Sequence, residues 1–474
     1  MKCIPEGCVM IKKTEEKHMR KFLALLLATL MLLAVVGCTA PAADGQKDAT
    51  DDKKTEAPAD GKTEDNKTED NKPASGERRK LRVAAESWQV TKIFLEDAAA
   101  AFMKDHPDVD VEVITYADTS VLSTYTLNWM QDTTDVDIVF IDGGVKFAKQ
   151  FDAKGLICDF DKDLNFFNYV SQDQFCNGVL EYGKVQGRQV ALPIIQEVYA
   201  ISCNVDMFKA AGLVDEQGNC LQPKDWDEFY EFAKKLTIRD ANGNVTQQGA
   251  SIQFGNNLLT IIASSLAGVK GNITLDDGVT YDIDNDEFRA IVANWQKGVQ
   301  EGVYSIATFA DNSGGRNALK AGTLAMCYEA AGRWMEAENM LGAGTMTLAN
   351  TPGGKGTLGF GGDIVVPKCS PNQDLVCQFV AEQLLGEHVQ TNTFTQYGKM
   401  SVIKSYFDAA IEAVPIWANI KDSMDKAIGA PSYNEEQKFL DGACAIFQAG
   451  LVDPNTTADQ IVNELVELMN SVDK

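Results

Sequence analysis

Strand and helix patterns alternate along the chain from Lys80 onward, and this alternation limits the fold more than any other feature. Residues 81–85 and 136–141 have the apolar character of buried strands, 109–113 alternate apolar and polar side chains, and 91–104 have helical spacing. A strand–helix–strand order predicts a mainly parallel sheet that helices cover on both faces. The predicted fold class is therefore α/β.

Length and charge narrow the possibilities further. About 395 residues follow a polar N-terminal region, which is more than one ordinary core holds, so we expect two lobes. The chain has 43 Lys and Arg against 68 Asp and Glu, a net charge of −25. This balance argues against a nucleic-acid partner, because phosphate binding needs a basic surface. On the same ground, a neutral or cationic ligand is expected to bind more easily than an anion.

The N-terminal region has the pattern of an export signal that ends in a cysteine. Arg20 and Lys21 precede an apolar run at 22–36, and small residues then lead to Cys38. This pattern resembles a bacterial lipobox, which implies a signal peptide at 1–37, with Met19 as an alternative start, and a palmitate-type lipid on Cys38. The alternative is a transmembrane helix, but the run is shorter than the roughly 18 to 20 residues that crossing a bilayer needs. We predict a protein anchored by its lipid to the extracytoplasmic face of the cell membrane.

A polar linker follows the cysteine. Residues 38–79 consist mainly of Ala, Pro, Asp, Lys, Thr and Glu, and the sequence Lys-Thr-Glu-Asp-Asn occurs at 62–66 and again at 67–71. Such a segment has too little apolar surface to offset its ordering entropy. We predict that it is a disordered, lipid-anchored linker.

Loops at the carboxyl ends of the predicted parallel strands are the first candidates for ligand contact. Trp88 and Gln89 follow the first strand, and Asp142 follows the third. Asp142 fits the N-cap of the next helix equally well. In contrast, Trp129, Trp226 and Trp295 recur at helical spacing with other apolar residues, so we expect them in the core.

Four segments then share features with one protein family. They are the extended run 192–204, the segment 223–229 around Trp226, the strand entry 320–326, and Gly361–Pro367 with its two adjacent glycines. In order and spacing, the chain from 80 to 473 resembles extracellular solute-binding proteins of the carbohydrate ABC importer class, family 1, which are maltodextrin-binding-protein-like. The resemblance implies a type II, periplasmic-binding-protein-like fold with two hinged lobes. It places lobe 1 at 80–198, lobe 2 at 199–358, a return to lobe 1 at 359–399, and C-terminal helices of lobe 2 at 400–474.

The same resemblance implies a sugar site between the lobes. Aromatic rings cover the C–H face of a sugar, and planar amides, guanidinium groups or carboxylates pair with its hydroxyls. Trp334 occupies the family's stacking position, although Arg333 replaces the usual proline before it. The candidate ligand-binding residues are Trp88, Gln89, Asp142, Gln196, Tyr199, Glu329, Arg333, Trp334 and Asp363. Gln196 and Asp363 fit the architecture of the hinge equally well.

The implied function is capture of a sugar or oligosaccharide and its delivery to ABC permease subunits by a monomer that closes around the ligand. We predict no catalysis, no cofactor and no metal, because only His106 and His388 follow the predicted signal peptide. Two alternatives stay open. Abundant carboxylates leave room for a secreted glycan-cleaving enzyme, and a ligand-presenting sensor subunit would use the same binding chemistry.

Overall fold

The computed structural model describes residues 78–141 and 146–474. The predicted signal peptide, Cys38, nearly all of the linker and Asp142 therefore lie outside the described residues. The strands are β1 Arg79–Glu86, β2 Val109–Tyr116, β3 Ile138–Ile141, β4 Lys184–Val185, β5 Arg188–Gln189, β6 Leu192–Asn204, β7 Ile238–Arg239, β8 Val245–Ile252, β9 Tyr304–Ser305, β10 Leu324–Ala330, β11 Met346–Ala349, β12 Thr357–Val365, β13 Met400–Ser401 and β14 Ala427–Gly429.

Helices occupy most of the intervening sequence. They are α1 Ser87–Lys92, α2 Leu95–Asp105, α3 Val121–Trp129, α4 Lys146–Ala153, α5 Val205–Ala210, α6 Trp226–Leu236, α7 Leu258–Lys270, α8 Asp286–Gln300, α9 Ala307–Ala310, α10 Gly314–Lys320, α11 Arg333–Leu341, α12 Gln373–Phe379, α13 Glu387–Tyr397, α14 Lys404–Ala413, α15 Lys421–Met424, α16 Glu436–Val452 and α17 Ala458–Ser471. Within the described residues, no helix is both long enough and apolar enough to cross a bilayer.

The strands form two sheet regions that share one long strand. In the first region β1 pairs in parallel with β2 and β3, and β12 lies antiparallel between β3 and the first half of β6. In the second region β10 pairs antiparallel with the second half of β6 and in parallel with β8. We refer to these regions, with the helices that cover them, as the β1 half and the β10 half. The parallel pairs β1–β2, β1–β3 and β8–β10 agree with the predicted α/β class.

Burial on both faces explains why β6 is a long apolar run. All of its residues are buried, and alternate side chains enter different clusters: Tyr199 and Ile201 join one, whereas Val198 and Ala200 join another. The same alternation occurs in β1, where Leu81 lies on one face and Ala84 on the other. Each half therefore has its own two-sided core.

The helical tryptophans lie in these cores, as their spacing predicted. Trp226 and Trp295 contact each other, with ring centroids 5.5 Å apart, in the core of the β10 half. Trp129 stacks on Tyr125 in the β1 half. Deep apolar burial of this kind contributes several kcal/mol per large aromatic side chain, on the order of 3.

One helix prediction was wrong in its continuity. Residues 91–104 were expected to form a single helix, but α1 ends at Lys92 and α2 begins at Leu95. Phe94 between them has a left-handed backbone with φ 54° and ψ 40°, which a right-handed helix excludes. Its ring lies against His388 and Tyr397 of α13 at centroid distances of 5.6 and 5.7 Å. The interruption of the helix at Phe94 thus coincides with tertiary contacts to α13. The spacing of apolar residues within 91–104 contains no sign of these contacts.

Candidate functional site

A cleft of about 1460 Å³ lies between the β1 half and the β10 half. The loop and helix after β1, the end of α4 and the segment around β4 line it on one side, and β10, α11 and the start of α7 line it on the other. Drug-sized ligands occupy pockets of roughly 300 to 1,000 Å³. The cleft therefore has room for a ligand of more than one ring.

Glu329 of β10 is the most deeply placed charged group of the cleft wall. Its side chain is only 1% exposed, and its Oε1 accepts hydrogen bonds from Nε of Arg316 and, at 2.9 Å, from Nε of Arg333. Its Oε2 is buried and has no hydrogen-bond partner among the described residues. A buried carboxylate oxygen without a donor is costly, on the order of 1–3 kcal/mol or more. Such an atom in a cleft wall suits a donor from a ligand.

An ion-pair chain continues from Glu329 across the cleft. Arg333 Nη1 donates to Glu336 Oε1 at 2.8 Å, and Lys92 Nζ of the β1 half lies 3.1 Å from the same oxygen. Burial alone would raise the pKa of Glu336, but the charges of Arg333 and Lys92 lower this pKa to about 2. Burial likewise lowers the pKa of Arg333, and the nearby carboxylates outweigh it, so that this pKa is raised. Both groups are charged at neutral pH.

A second ion pair lies where the two halves meet. Lys399 Nζ donates to Glu197 Oε1, and both side chains are at most 8% exposed. Burial opposes the ionised form of Glu197, yet Lys399 and Arg333 hold its pKa below the ordinary value. Lys399 also lies over the ring of Trp88, 5.0 Å from its centroid, and Trp88 Nε1 donates to Glu86 at 2.9 Å. The indole is thereby fixed on the cleft wall.

Aromatic side chains line the remaining wall. Phe360 of β12 is half-buried and lies 5.8 Å from the ring of Tyr199, whose hydroxyl bonds Thr260 at 2.7 Å. Glycines flank Phe360: a Cβ on Gly359 would lie 2.1 Å from the Tyr182 hydroxyl, and one on Gly361 would lie 2.4 Å from a side-chain oxygen of Asp363. These glycines allow the close approach that leaves the Phe360 ring at the cleft.

The cleft brings together four of the nine candidate residues. Trp88, Tyr199, Glu329 and Arg333 line it. Asp142 lies outside the described residues, and the remaining four do not line the cleft. These four are Gln89, Gln196, Trp334 and Asp363, and their contacts elsewhere in the fold explain why they do not reach the cleft.

Trp334 was expected at the cleft rather than in the core, and this placement was wrong. The indole is 4% exposed and packs edge-to-face on Trp417, with centroids 6.1 Å apart. It belongs to the apolar cluster of the β10 half that also contains Phe394. Trp334 is the second residue of α11, and its ring points into the apolar cluster. The ring therefore contributes to packing.

The other three candidates that do not line the cleft are buried in helix caps or strands. They are Gln89, Gln196 and Asp363. Gln89 is fully buried and forms a capping box at the start of α1, where its Oε1 accepts from the backbone N–H of Glu86 at 2.9 Å. Gln196 lies in β6, and its Nε2 donates to the Ser401 carbonyl at 2.7 Å. Asp363 is buried in β12 between β3 and β6. Both Gln196 and Asp363 thus lie on strands that connect the two halves, and these positions agree with the alternative that they belong to the hinge and do not contact the ligand.

Sequence reasoning missed Glu197, Arg316, Phe360 and Lys399, all of which line the cleft. For two of these residues, Glu197 and Phe360, the sequence contained a signal. Glu197 is a charge inside the apolar run of β6, which indicates a buried partner, and Phe360 stands between glycines in a strand. Arg316 and Lys399 lie at a helix start and after a turn, where basic residues are common on any surface.

The charges of the cleft differ from those of the whole chain. Its lining has eight Lys or Arg against seven Asp or Glu, whereas the chain has 43 against 68. The expectation of a neutral or cationic ligand from net charge therefore does not carry over to the cleft. No group of three His, Cys, Asp or Glu within the described residues is placed to hold a metal ion.

The comparisons with known proteins agree on one fold. The profile of the family described as bacterial extracellular solute-binding protein matches residues 87–384. No curated protein sequence matches the chain. Similar solved structures include an ABC substrate-binding protein from Listeria monocytogenes in complex with cycloalternan, with 16% identity and a TM-score of 0.68 over 83% of this chain and 99% of that chain. The sugar-binding protein MalE from Xanthomonas citri has 16% identity and a TM-score of 0.67 over 82% and 97%.

A third similar structure is the GacH receptor of Streptomyces glaucescens, solved unliganded and with acarbose. It has 16% identity and a TM-score of 0.65 over 83% of this chain and 99% of that chain. At these identities the similarity establishes the fold alone. The predicted two-lobe α/β fold of the type II binding-protein class is confirmed.

Proposed function

The chain belongs to the bacterial extracellular solute-binding protein family, and from this premise we propose that it captures a sugar or oligosaccharide outside the membrane and delivers it unaltered to an ABC permease. The observation that carries the proposal is Glu329. Its unpartnered, buried Oε2 lies in a cleft wall beside two guanidinium groups. Acceptor and donors at one place match the hydroxyl groups of a sugar, each of which both donates and accepts.

The aromatic residues of the cleft support the same ligand class. The Trp88 and Phe360 rings are both half-buried on the cleft wall, and an aromatic face covers the C–H face of a sugar ring. Trp88, Tyr199, Glu329 and Arg333 are the proposed contacts from sequence, and Arg316, Phe360 and Lys399 extend them. Trp334 is left out because its ring is in the core.

Delivery depends on closure of the two halves. A ligand that contacts both halves binds the closed arrangement more tightly and shifts the population toward it. A dissociation constant near 1 μM, about −8 kcal/mol, offsets a hinge cost of a few kcal/mol and still permits release. We propose lobe boundaries near 198, 358 and 399, because β6, β12 and β13 connect the two halves there.

Attachment to the membrane through a lipid on Cys38 and the linker 38–79 completes the proposal. A flexible coil of about 40 residues spans roughly 35 Å, enough for a monomer to reach a permease in the same membrane. Replacing Cys38 with serine is expected to abolish labelling by a palmitate analogue and to release the protein from the membrane fraction. Retention of the variant in that fraction would argue against the anchor.

The test of the function is binding of a panel of mono- and oligosaccharides to the full chain, followed by calorimetry and by the shift in melting temperature. We expect saturable binding of at least one saccharide, which chromatography then recovers intact. Glu329→Gln should weaken it at least about tenfold, since the carboxylate acceptor and its ion pairs are lost. Shortened products would indicate the glycan-cleaving alternative, and no binding across the panel would refute the proposal.

A further inference from the structure

Two guanidinium groups converge on a single carboxylate oxygen in the cleft. Nε of Arg316, in the helix before β10, and Nε of Arg333, in the helix after it, both donate to Oε1 of Glu329 near the end of that strand. The two arginine side chains are 21% and 14% exposed. Two like charges are thus held side by side with limited access to solvent, and one carboxylate lies between them.

Several donors of this pair are unused. Neither terminal nitrogen of Arg316, nor Nη2 of Arg333, has a hydrogen-bond partner among the described residues, since Arg333 uses only Nε and Nη1. Guanidinium nitrogens have a planar, fork-like arrangement that matches the two oxygens of a carboxylate. The unused donors therefore form a suitable site for an anionic group.

The local charge is also unbalanced. The ion-pair chain that crosses the cleft contains Lys92, Arg316 and Arg333 against Glu329 and Glu336. The neighbouring Glu197 and Lys399 neutralise each other. Within this ion-pair chain three cations face two carboxylates, and the next carboxylate of the wall, Glu86, accepts from Trp88 Nε1. Partial burial makes each of these charges costlier than on an open surface.

Across the cleft, Lys149 forms no ion pair with another described residue. Lys149 of α4 donates to the Ser432 carbonyl at 2.9 Å, and no carboxylate of the described residues lies within 4.0 Å of it. It lines the same cleft as the two arginines. Over the whole lining the basic residues exceed the acidic ones by one, so the cleft lacks the excess of acidic residues that the chain as a whole has.

We infer that the ligand of the cleft is an acidic saccharide, one whose carboxylate, of the uronic acid kind, pairs with Arg316 and Arg333. A uronic acid residue carries a carboxylate for the guanidinium nitrogens and hydroxyls that donate to Oε2 of Glu329. A neutral sugar can accept from the unused guanidinium nitrogens, but it gives them no charged, two-oxygen partner. The inference rests on the proposed capture of a saccharide and specifies its chemical class.

The experiment compares each acidic oligosaccharide with its own methyl ester, which keeps the stereochemistry and removes the charge. Galacturonate, glucuronate and mannuronate oligomers, their esters and neutral hexose oligomers are titrated into the full chain by calorimetry. We expect one acid to bind at least about tenfold more tightly than its ester, a difference of about 1.4 kcal/mol. Raising the NaCl concentration should reduce this preference, because salt screens the charge pairing.

Variants locate the effect. Arg316→Gln is expected to reduce the preference for acid over ester to less than about threefold. The matched control is Arg239→Gln, which removes the same charge from exposed β7, where Arg239 donates to backbone carbonyls outside the cleft. This control should keep the full preference. Loss of the preference in both variants would overturn the assignment to Arg316.

The outcomes separate the inference from the proposed function. If neutral saccharides bind and no uronate binds better than its ester, the inference falls while sugar capture stands. If neither neutral nor acidic saccharides bind, both fall. If an acid binds more tightly than its ester and Arg316→Gln removes the difference, the assignment of the carboxylate to the arginine pair is supported.

Discussion

At the scale of single residues, Trp88 and Trp334 show what a local pattern can predict. Both follow a strand and begin a helix, and this position predicts that both rings lie at a cleft. Trp88 is held at the wall by Glu86 and Lys399, whereas Trp334 packs against Trp417. The difference comes from a neighbour far along the chain, so local spacing could not predict it.

Replacing Trp334 with alanine is expected to lower the free energy of unfolding by about 3–5 kcal/mol, because a large buried ring leaves a cavity. Urea denaturation measures this loss, and Trp334→Phe should lose less than half as much. An unchanged midpoint for Trp334→Ala would contradict the core assignment.

Trp88→Ala is expected to show the reverse behaviour. Its saccharide affinity should fall at least about tenfold, and its free energy of unfolding should fall by less than about 2 kcal/mol.

At the scale of elements, the sequence predicted β6 well because burial on both faces makes the whole strand apolar. The expected run 192–204 and the observed strand have the same bounds. The strand β12 was predicted only in part. The two adjacent glycines, Gly361 and Gly362, were noted in the sequence, but the half-buried ring of Phe360 beside them was missed. The close approach of Gly359 to Tyr182, which belongs to a different segment of the chain, has no signal in the local sequence.

Gly359→Ala tests this packing. The new Cβ would lie 2.1 Å from the Tyr182 hydroxyl, so either the ring or the strand must move, at a cost of about 1–3 kcal/mol. The cost should fall by at least about half when Tyr182→Ala is already present, since the Tyr182 hydroxyl is the nearest obstacle. A smaller cost remains because the new Cβ would also lie 3.0 Å from Cβ of Ala427. Additive losses in the double variant, measured by urea denaturation, would show that Tyr182 is not the obstacle.

At the scale of the whole molecule, two lobes and their connecting strands could be predicted from length, strand–helix alternation and the family resemblance. The charges of the cleft could not. Lys92 and Glu336 belong to different halves and are joined only when the fold brings α1 next to α11. The net charge of the chain also gave a wrong expectation for the ligand, because a sum over all residues contains no information about where the basic residues lie.

The Lys92–Glu336 pair links the two halves, and its dependence on pH has a definite sign. Burial raises the pKa of Glu336, but Arg333 of the same helix and then Lys92 of the other half lower it from 4.5 to about 2 in the folded protein. A carboxylate with a lowered pKa stabilises the folded arrangement above its unfolded pKa, and this contribution is lost as the pH falls toward the folded value. The charge of Glu336 therefore contributes at full strength at pH 5 and above, through Arg333 and Lys92 together.

Glu336→Gln removes this contribution at neutral pH, so the variant is expected to be less stable than the parent chain. The difference in free energy of unfolding between the two proteins should stay constant from about pH 7 to pH 5 and shrink steadily from about pH 4.5 toward pH 2. Urea denaturation at each pH measures it. Glu382→Gln is the matched control, because Glu382 pairs with His106 on the outer surface of the β1 half, where its side chain is 45% exposed. A difference for Glu336→Gln that persists unchanged at pH 2.5 would show that the carboxylate charge does not stabilise the fold through Arg333 and Lys92.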